Sequence, residues 1–468
     1  MPAECTCRSP WSCIWPVSIT DRKQSVDSES AVLVGVKLAQ QEIFDEELDE
    51  LTGLVETAGA EIVGRVTQRR QAPDPATYIG HGKVDELAAI VEATDADVVI
   101  FDNDLSPGQG RNLEKALEVK VLDRTEVILD IFSTRAQTHE ARLAVELAQL
   151  EYSLPRLKRL WTHLSRMKMG VGMRGPGEKQ LETDRRLVER RISELRRELD
   201  KVLKRKEREV SARSDRMTVS LVGYTNAGKS TLLNRLTDAS VLAEDKLFAT
   251  LDTRTRRWML PGWGPVLLSD TVGFIRDLPH QLIASFKATL EEARQADLLL
   301  HVADASNPAA LQQIRAVYAV LHELGIEEKD TVLVLNKIDR LDDPVRLESL
   351  RTKYPNAVPI SAFTGDGVPR LAGAVSDALS HDFLDLDVSF TAANGKLLAT
   401  LAQFGDVLSR TFAEDRVYVH VRLARKYLGR LHEHAGVEIR PHAGGEGRFK
   451  PVMPGDADEQ SPQIGDVA

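Results

Sequence analysis

Cysteine is almost missing from this chain: its 468 residues hold three, Cys5, Cys7 and Cys13, all in a short leader. No disulfide framework can hold the body together, and a reducing, cytoplasmic setting is expected. The Cys-x-Cys-x5-Cys cluster has no fourth ligand nearby and lies among Pro, Ser, Trp and charged residues, so it reads as disordered leader rather than a metal site. A start assigned too far upstream would also account for these residues. Long apolar runs are missing too. Nothing approaches the roughly 20 residues of a membrane span, and MPAECTCRSPWSCIWPVS has no uninterrupted apolar core of a secretory signal. A cytoplasmic protein without a membrane span is expected, with only a loose membrane association left open. Aromatics make up 5%, which argues against extensive base stacking. Net charge is −10 and the pI about 5.7, which excludes a uniformly basic nucleic-acid coat.

What remains is an ordinary globular composition, 42% hydrophobic and 28% charged, at a length that suggests roughly three domains. AVLVGVKL, AEIVGRVTQ, DVVIF and KVLD read as strands, and EELDELTGLVETAG, KVDELAAIVEATDA and GRNLEKALE as helices between them. Residues 31–136 therefore form a small open α/β subdomain behind a leader, 1–30. From Thr138 to Met167 and from Gln180 to Val210 the pattern is helical, with Pro155 expected to kink the first helix. MGVGMRGPGEK lies between them, and its Gly170, Gly172, Gly175, Pro176 and Gly177 cannot continue a helix. A helical hairpin over 137–216 with a flexible tip, 170–179, is the simplest account.

That hairpin breaks the acidic balance. Residues 156–216 hold 20 Lys+Arg against 10 Asp+Glu, leaving −20 on the remainder. Two helices laced with i,i+4 ion pairs would give the same residues, but the clustered excess and the glycine-arginine tip fit docking on phosphate backbones better. The strands MTVSLVG, VLLSD, LLLHVAD, TVLVLNK and VPIS then alternate with helical segments, a doubly wound domain over 217–381. LDLDVSF and VYVHVRL flank NGKLLATLAQF in a small α+β module, 382–442. The Gly-, Pro- and acid-rich tail 443–468 is expected to be disordered.

Chemistry enters with GYTNAGKS, Gly223 to Ser230, which fits G-x4-G-K-S between a strand and the helix TLLNRL. Gly223, Tyr224, Thr225, Asn226, Ala227, Gly228, Lys229, Ser230 and Thr231 are expected to cradle phosphates. Lys229 reaches the β and γ phosphates and Ser230 ligates Mg²⁺. NKID decides the base: Asp339 can accept two hydrogen bonds from guanine but not from adenine. Lys337 can lay its stem along the ring beside Ile338, and Asn336 can tie the segment to the P-loop. Ala362, between Ser361 and Phe363, could offer its N–H to guanine O6. GTP is therefore the expected substrate. In DTVGFI, Asp270 is placed to hold Mg²⁺ through water, with Thr271 and Val272 leading to Gly273, whose N–H can meet the γ phosphate. A second Thr ligand must come from FATLD or just beyond, where Thr250, Thr253 and Thr255 compete. Phe274 follows D-x-x-G where signalling GTPases carry a water-orienting glutamine, so unaided hydrolysis should be slow.

RGPGEKQLETDRR, YIGHGK, GYTNAGKST, FATLD and DTVGFI together resemble the HflX family of ribosome-associated GTPases, over about residues 31–440. The resemblance implies a Ras-like G domain, and it makes Thr250 the Mg²⁺-binding switch residue among Phe248, Ala249, Thr250, Leu251 and Asp252. Lys229, Thr250 and Gly273 would then carry catalysis. Met173 and Lys179 depart from the family's usual loop, G-x-G-T-R-G-P-G-E-T-Q, while its Gly-Pro-Gly is intact. The family binds the large (50S) ribosomal subunit, so that subunit, met through residues 156–216, is the implied partner of a monomeric chain acting on stalled or idle ribosomes. Some members bind ATP through the N-terminal region, and Gly80 to Lys83 is the nearest candidate. Asn226 matches an asparagine that holds K⁺ in potassium-stimulated relatives. The rival readings are a GTP-dependent binding switch for another RNA or protein partner, and an RNA-modification GTPase, which would bring a catalytic cysteine or cofactor domain.

Overall fold

The computed structural model describes residues 28–38, 45–160, 176–211, 217–237, 247–248, 253–261, 264–276, 290–326, 330–341, 343–380, 383–392, 394–413, 415–424, 427–432 and 436–442. The leader with its three cysteines, the tip residues 170–175, the switch residues Ala249 to Asp252 and the tail from 443 lie outside them. Two compact units result: Met1–Glu198 with Pro279–Ser285, and Leu199–Leu278 with Phe286–Ala468.

In the first unit, β1 (Ser30–Leu38), β2 (Glu61–Arg70), β3 (Val98–Phe101) and β4 (Lys120–Asp123) form a parallel sheet in the order β2-β1-β3-β4. The apolar run of β1 exists because both of its faces are covered. Val32, Val34 and Val36 pack with Val84, Leu87 and Val91 of α2 (His81–Thr94) and with Leu113 and Leu117 of α3 (Pro107–Leu117). On the opposite face, Leu48 of α1 (Asp45–Ala58) sits against Gly35. Reciprocal capping boxes, Ser106 with Gln109 and Asp123 with Glu126, start α3 and α4 (Arg124–Arg135) by satisfying the first free N–H groups. Buried charges are paired. Arg124 bridges Asp102 at 2.7 Å and Glu50 at 2.9 Å, and Arg156 meets Asp123 at 2.6 Å beside the Tyr152 hydroxyl. Burial and the neighbouring Asp123 carboxylate push Glu126 up to about 8.

The two long helices are α5 (His139–Leu160), which continues through Pro155, and α6 (Pro176–Ser211). The second start corrects the sequence reading: Pro176 and Gly177 are helical, so the segment 170–179 is not wholly a loop. Proline is well suited to a first helical position, where its fixed φ is pre-set and its missing N–H would have no partner anyway. Val188, Ile192, Leu195 and Leu199 form a buried stripe along α6. Part of its charge is neutralised internally, with Arg191 on Glu146 at 2.9 Å and Arg196 on Glu151 at 2.7 Å.

The second unit holds a six-stranded sheet in the order β10-β9-β8-β5-β7-β6. Its strands are β5 (Thr218–Gly223), β6 (Arg254–Leu260), β7 (Gly264–Asp270), β8 (Leu298–Asp304), β9 (Thr331–Asn336) and β10 (Val358–Pro359). All pairings are parallel except that of β6, an antiparallel edge. Among the helices flanking it are α7 (Lys229–Thr237), α8 (Ala310–Glu323), α9 (Pro344–Lys353) and α10 (Val368–Ser380). Beyond it, β11 (Phe383–Thr391), β12 (Gly405–Ala413), β13 (Arg416–Ala424) and β14 (Glu438–Pro441) make an antiparallel sheet in the order β12-β13-β11-β14, with α11 (Gly395–Phe404) alongside. One buried cluster runs from Leu221 and Leu233 through Val375 and Leu379 to Val388, Phe390, Leu401 and Val419. The fold is thus multidomain α/β with a small antiparallel C-terminal sheet. No described helix is long and apolar enough to cross a membrane.

Candidate nucleotide site

The buried strand β5 delivers Gly223 to the top of the sheet, and residues 224–228 turn from there into α7. The turn needs unusual backbone. Gly228 has φ +91, and an added Cβ would collide with the Asn336 side chain, so only glycine fits. Asn226 takes φ +56, which asparagine tolerates better than most residues. Its side chain is exposed and makes no hydrogen bond to another described residue.

Lys229 opens α7 with its ammonium buried, donating to the carbonyls of Gly223 at 3.1 Å and Tyr224 at 2.9 Å. Burial pushes its pKa down to about 8, opposed by the Asp270 carboxylate. Asp270, at the end of β7, is fully buried and accepts a 2.6 Å hydrogen bond from the Ser230 hydroxyl. Behind them on β8 lies His301, held neutral with a pKa near 3 by burial and by Lys229. Its ring meets Tyr318 edge-on at 4.9 Å.

The D-x-x-G segment is strapped to the P-loop by its backbone. Thr225 N–H donates to Phe274 O at 2.6 Å, and Phe274 N–H to Gly223 O at 3.1 Å. Gly273 permits this: a Cβ there would stand 2.8 Å from Thr225 Cα and 3.1 Å from the Lys229 ammonium. Phe274 itself is 3% exposed, its ring in the interior, while the Tyr224 hydroxyl accepts the Arg276 N–H at 2.7 Å. Thr271 donates to Leu221 O at 2.7 Å and locks β7 to β5, with Val272 buried next to it.

Asn336, 1% exposed at the end of β9, joins three segments. Its amide donates to Ala227 O at 2.8 Å, and its carbonyl accepts the Ala362 N–H at 2.9 Å. The second contact occupies the group expected to meet guanine O6. An O6 contact therefore needs that bond shared or exchanged. Lys337, at φ +62, is anchored 2.8 Å from Asp304 at the end of β8. Ile338 and Asp339 form a short turn that leaves Asp339 exposed, and the buried Ser361 shapes the next turn by accepting the Thr364 N–H at 3.0 Å. Phe363 beyond it is 75% exposed.

Family models match the chain in three consecutive stretches, described as GTP-binding GTPase N-terminal (residues 45–133), GTP-binding GTPase middle region (135–213) and 50S ribosome-binding GTPase (218–337). GTPase HflX of Escherichia coli strain K12 is 48% identical over 399 residues, 84% of this chain and 93% of the relative. GTPase HflX of Chlamydia pneumoniae is 43% identical over 413 residues, 86% of this chain and 88% of the relative. The chain belongs to the HflX GTPase family. Among solved structures, a GTP-binding protein from the archaeon Sulfolobus solfataricus in complex with GDP is similar at 24% identity and a TM-score of 0.41, covering 75% of this chain and 98% of its own.

In this HflX-family chain several contacts at the site carry no sequence signature. Asp304, the anchor of Lys337, is one. The Thr225 hydroxyl, which accepts the Phe248 N–H at 2.9 Å, is another, and it ties the described edge of FATLD to the P-loop. Arg235 of α7 holds the carbonyls of Ala362 and Phe363. Thr253 and Thr255, the competitors of Thr250, donate instead to Glu292 at 3.1 and 3.2 Å. Thr250, Ala249, Leu251 and Asp252 lie outside the described residues.

Proposed function

We propose that this GTPase hydrolyses GTP slowly alone and faster on the large (50S) ribosomal subunit, acting on stalled or idle ribosomes by dissociation or recycling. The observation that carries the chemical half is the convergence of the D-x-x-G and N-K-x-D segments on the P-loop, Phe274 through backbone bonds to Thr225 and Gly223 and Asn336 through its amide to Ala227. The match to a model described as 50S ribosome-binding GTPase and the basic excess of residues 156–216 support the ribosomal half.

In this reading Lys229 exchanges two loop carbonyls for β and γ phosphate oxygens, keeping its buried charge hydrogen-bonded. The N–H groups of Asn226, Gly228, Lys229 and Ser230, at the loop's end and the start of α7, supply the rest of the phosphate cradle. Ser230 and Asp270, a hydroxyl and a carboxylate 2.6 Å apart beside them, fit a hard divalent cation. With Thr250 they would hold Mg²⁺, which supplies charge neutralisation on the phosphates when bound. Asp339 reads guanine, Lys337 is pre-positioned by Asp304, and Gly273 N–H meets the γ phosphate. The buried Phe274 ring leaves the attacking water to backbone groups, to a partner, or to K⁺ held near the exposed Asn226. Location in the cytoplasm follows from that partner.

Sedimentation tests the ribosomal half. With a non-hydrolysable GTP analogue the protein should pellet with purified 50S subunits, and much less with GDP. Equal recovery in the supernatant under both conditions, at low and at moderate salt, would leave the binding-switch reading in its place.

A further inference from the structure

The outer face of the C-terminal sheet gathers two histidines and a carboxylate away from the nucleotide site. Asp387 on β11 stands directly opposite His420 on β13, and His442 follows the last residue of the edge strand β14. One donor atom from each lies within 4.8 Å of the others. We propose that Asp387, His420 and His442 bind a divalent transition-metal ion of the zinc type, which pins β14 to the sheet.

Two observations point to a ligand. His420 Nε2 is buried and has no hydrogen-bond partner among the described residues. Such an orphan is unfavourable, and native structures usually resolve it with water or an ion. The nearest carboxylate, Asp385, is 3.9 Å away and already holds Arg422 at 3.1 and 3.2 Å. On the other side, His442 Nδ1 lies 2.9 Å from both oxygens of Asp387, the pairing in which a proton stands where a metal can. Two imidazoles and one carboxylate are the borderline donor set of zinc, with a remaining position for water.

The rings of His420 and His442 stack at 3.8 Å with 14° between their planes. A metal must lie near the plane of each imidazole that binds it, so the stack opens on loading. His442 can do this, because its side chain is 38% exposed and it sits past the end of a strand of only four residues. Among the described side chains of this face, Arg422 is matched with Asp385, and Arg416 and Arg440 with Glu438. A clip there would fasten an edge strand whose backbone is paired on one side only.

The test uses the full chain with Cys5→Ser, Cys7→Ser and Cys13→Ser, so that leader thiols do not compete, and with Mg²⁺ and GDP in excess. Calorimetric titration with Zn²⁺ should show one equivalent, weakened at least tenfold by His420→Gln or His442→Gln while GDP binding is unchanged. In the parent, Zn²⁺ should slow amide exchange over residues 436–442, a readout that needs no variant. Equal Zn²⁺ affinity in parent and variants, no saturable binding by the parent, or unaltered exchange at 436–442 would each overturn the proposal.

Discussion

Lys229 is the residue whose chemistry is most exposed to test. Its pKa of about 8 lies below the ordinary 10.5, and phosphate oxygens favour the charged form, so nucleotide binding raises it. Binding then takes up a proton wherever the free protein has lost one. GTP affinity should be flat below about pH 8 and fall as pH rises above it, with calorimetry in two buffers at pH 9 reporting net proton uptake; a flat profile to about pH 10 would contradict the assignment. Lys229→Ala should abolish nucleotide binding outright. Asp339→Asn should exchange guanine for xanthine preference, read by competition between GTP and XTP. Asn336→Ala should destabilise the protein by about 1–3 kcal/mol, because it strands the Ala362 N–H, and should weaken GTP binding too. These residues were legible in the sequence because each motif fixes backbone geometry locally. Asp304 was not, since its pairing with Lys337 forms only when β8 and β9 lie side by side. The Asn336 acceptor for the Ala362 N–H was not legible for the same reason, since it forms only when β9 and the turn after β10 come together.

Among the elements, apolar strands announced themselves, whether central or at an edge, and the two edge strands of mixed polar sequence did not. β1, β5, β8 and β9 are near-continuous apolar runs because helices or neighbouring strands cover them. RTRRWML of β6 and GDVLSRTFA of β12 are edge strands with mixed polar sequences, so pairing rather than periodicity makes them strands. The start of α6 was missed because glycine and proline read as breakers, although proline suits the first turn of a helix. The D-x-x-G strap shows the same gap between pattern and geometry. Phe274 looked like a missing catalytic side chain, yet its ring is interior and its backbone does the work of joining two loops. Replacing it with glutamine should therefore not produce fast unaided hydrolysis. It should lower stability by about 3–5 kcal/mol, as the loss of a buried ring does, and denaturant unfolding measures this. A Phe274→Gln protein with parental stability and much faster turnover would show that the ring can leave the core.

At the scale of the whole molecule, an acidic protein carries one basic stretch, a contrast legible in the amino-acid order alone. The fold qualifies it. Arg191 and Arg196 are engaged by Glu146 and Glu151, so the usable excess of residues 156–216 is smaller than the count of charges implies. Those pairs are partly exposed, and each contributes little to stability, so their arginines can turn to phosphate with little loss. If Asn226 helps to hold K⁺, turnover should be faster in K⁺ than in Na⁺, and Asn226→Ala should remove the difference. Partner-gated hydrolysis ties all of these parts together, and steady-state GTP turnover with and without purified 50S subunits tests it most directly. The account predicts slow turnover alone and at least tenfold stimulation by the subunit that weakens as salt rises, whereas many turnovers per second without the subunit, or no change on adding it, would contradict it.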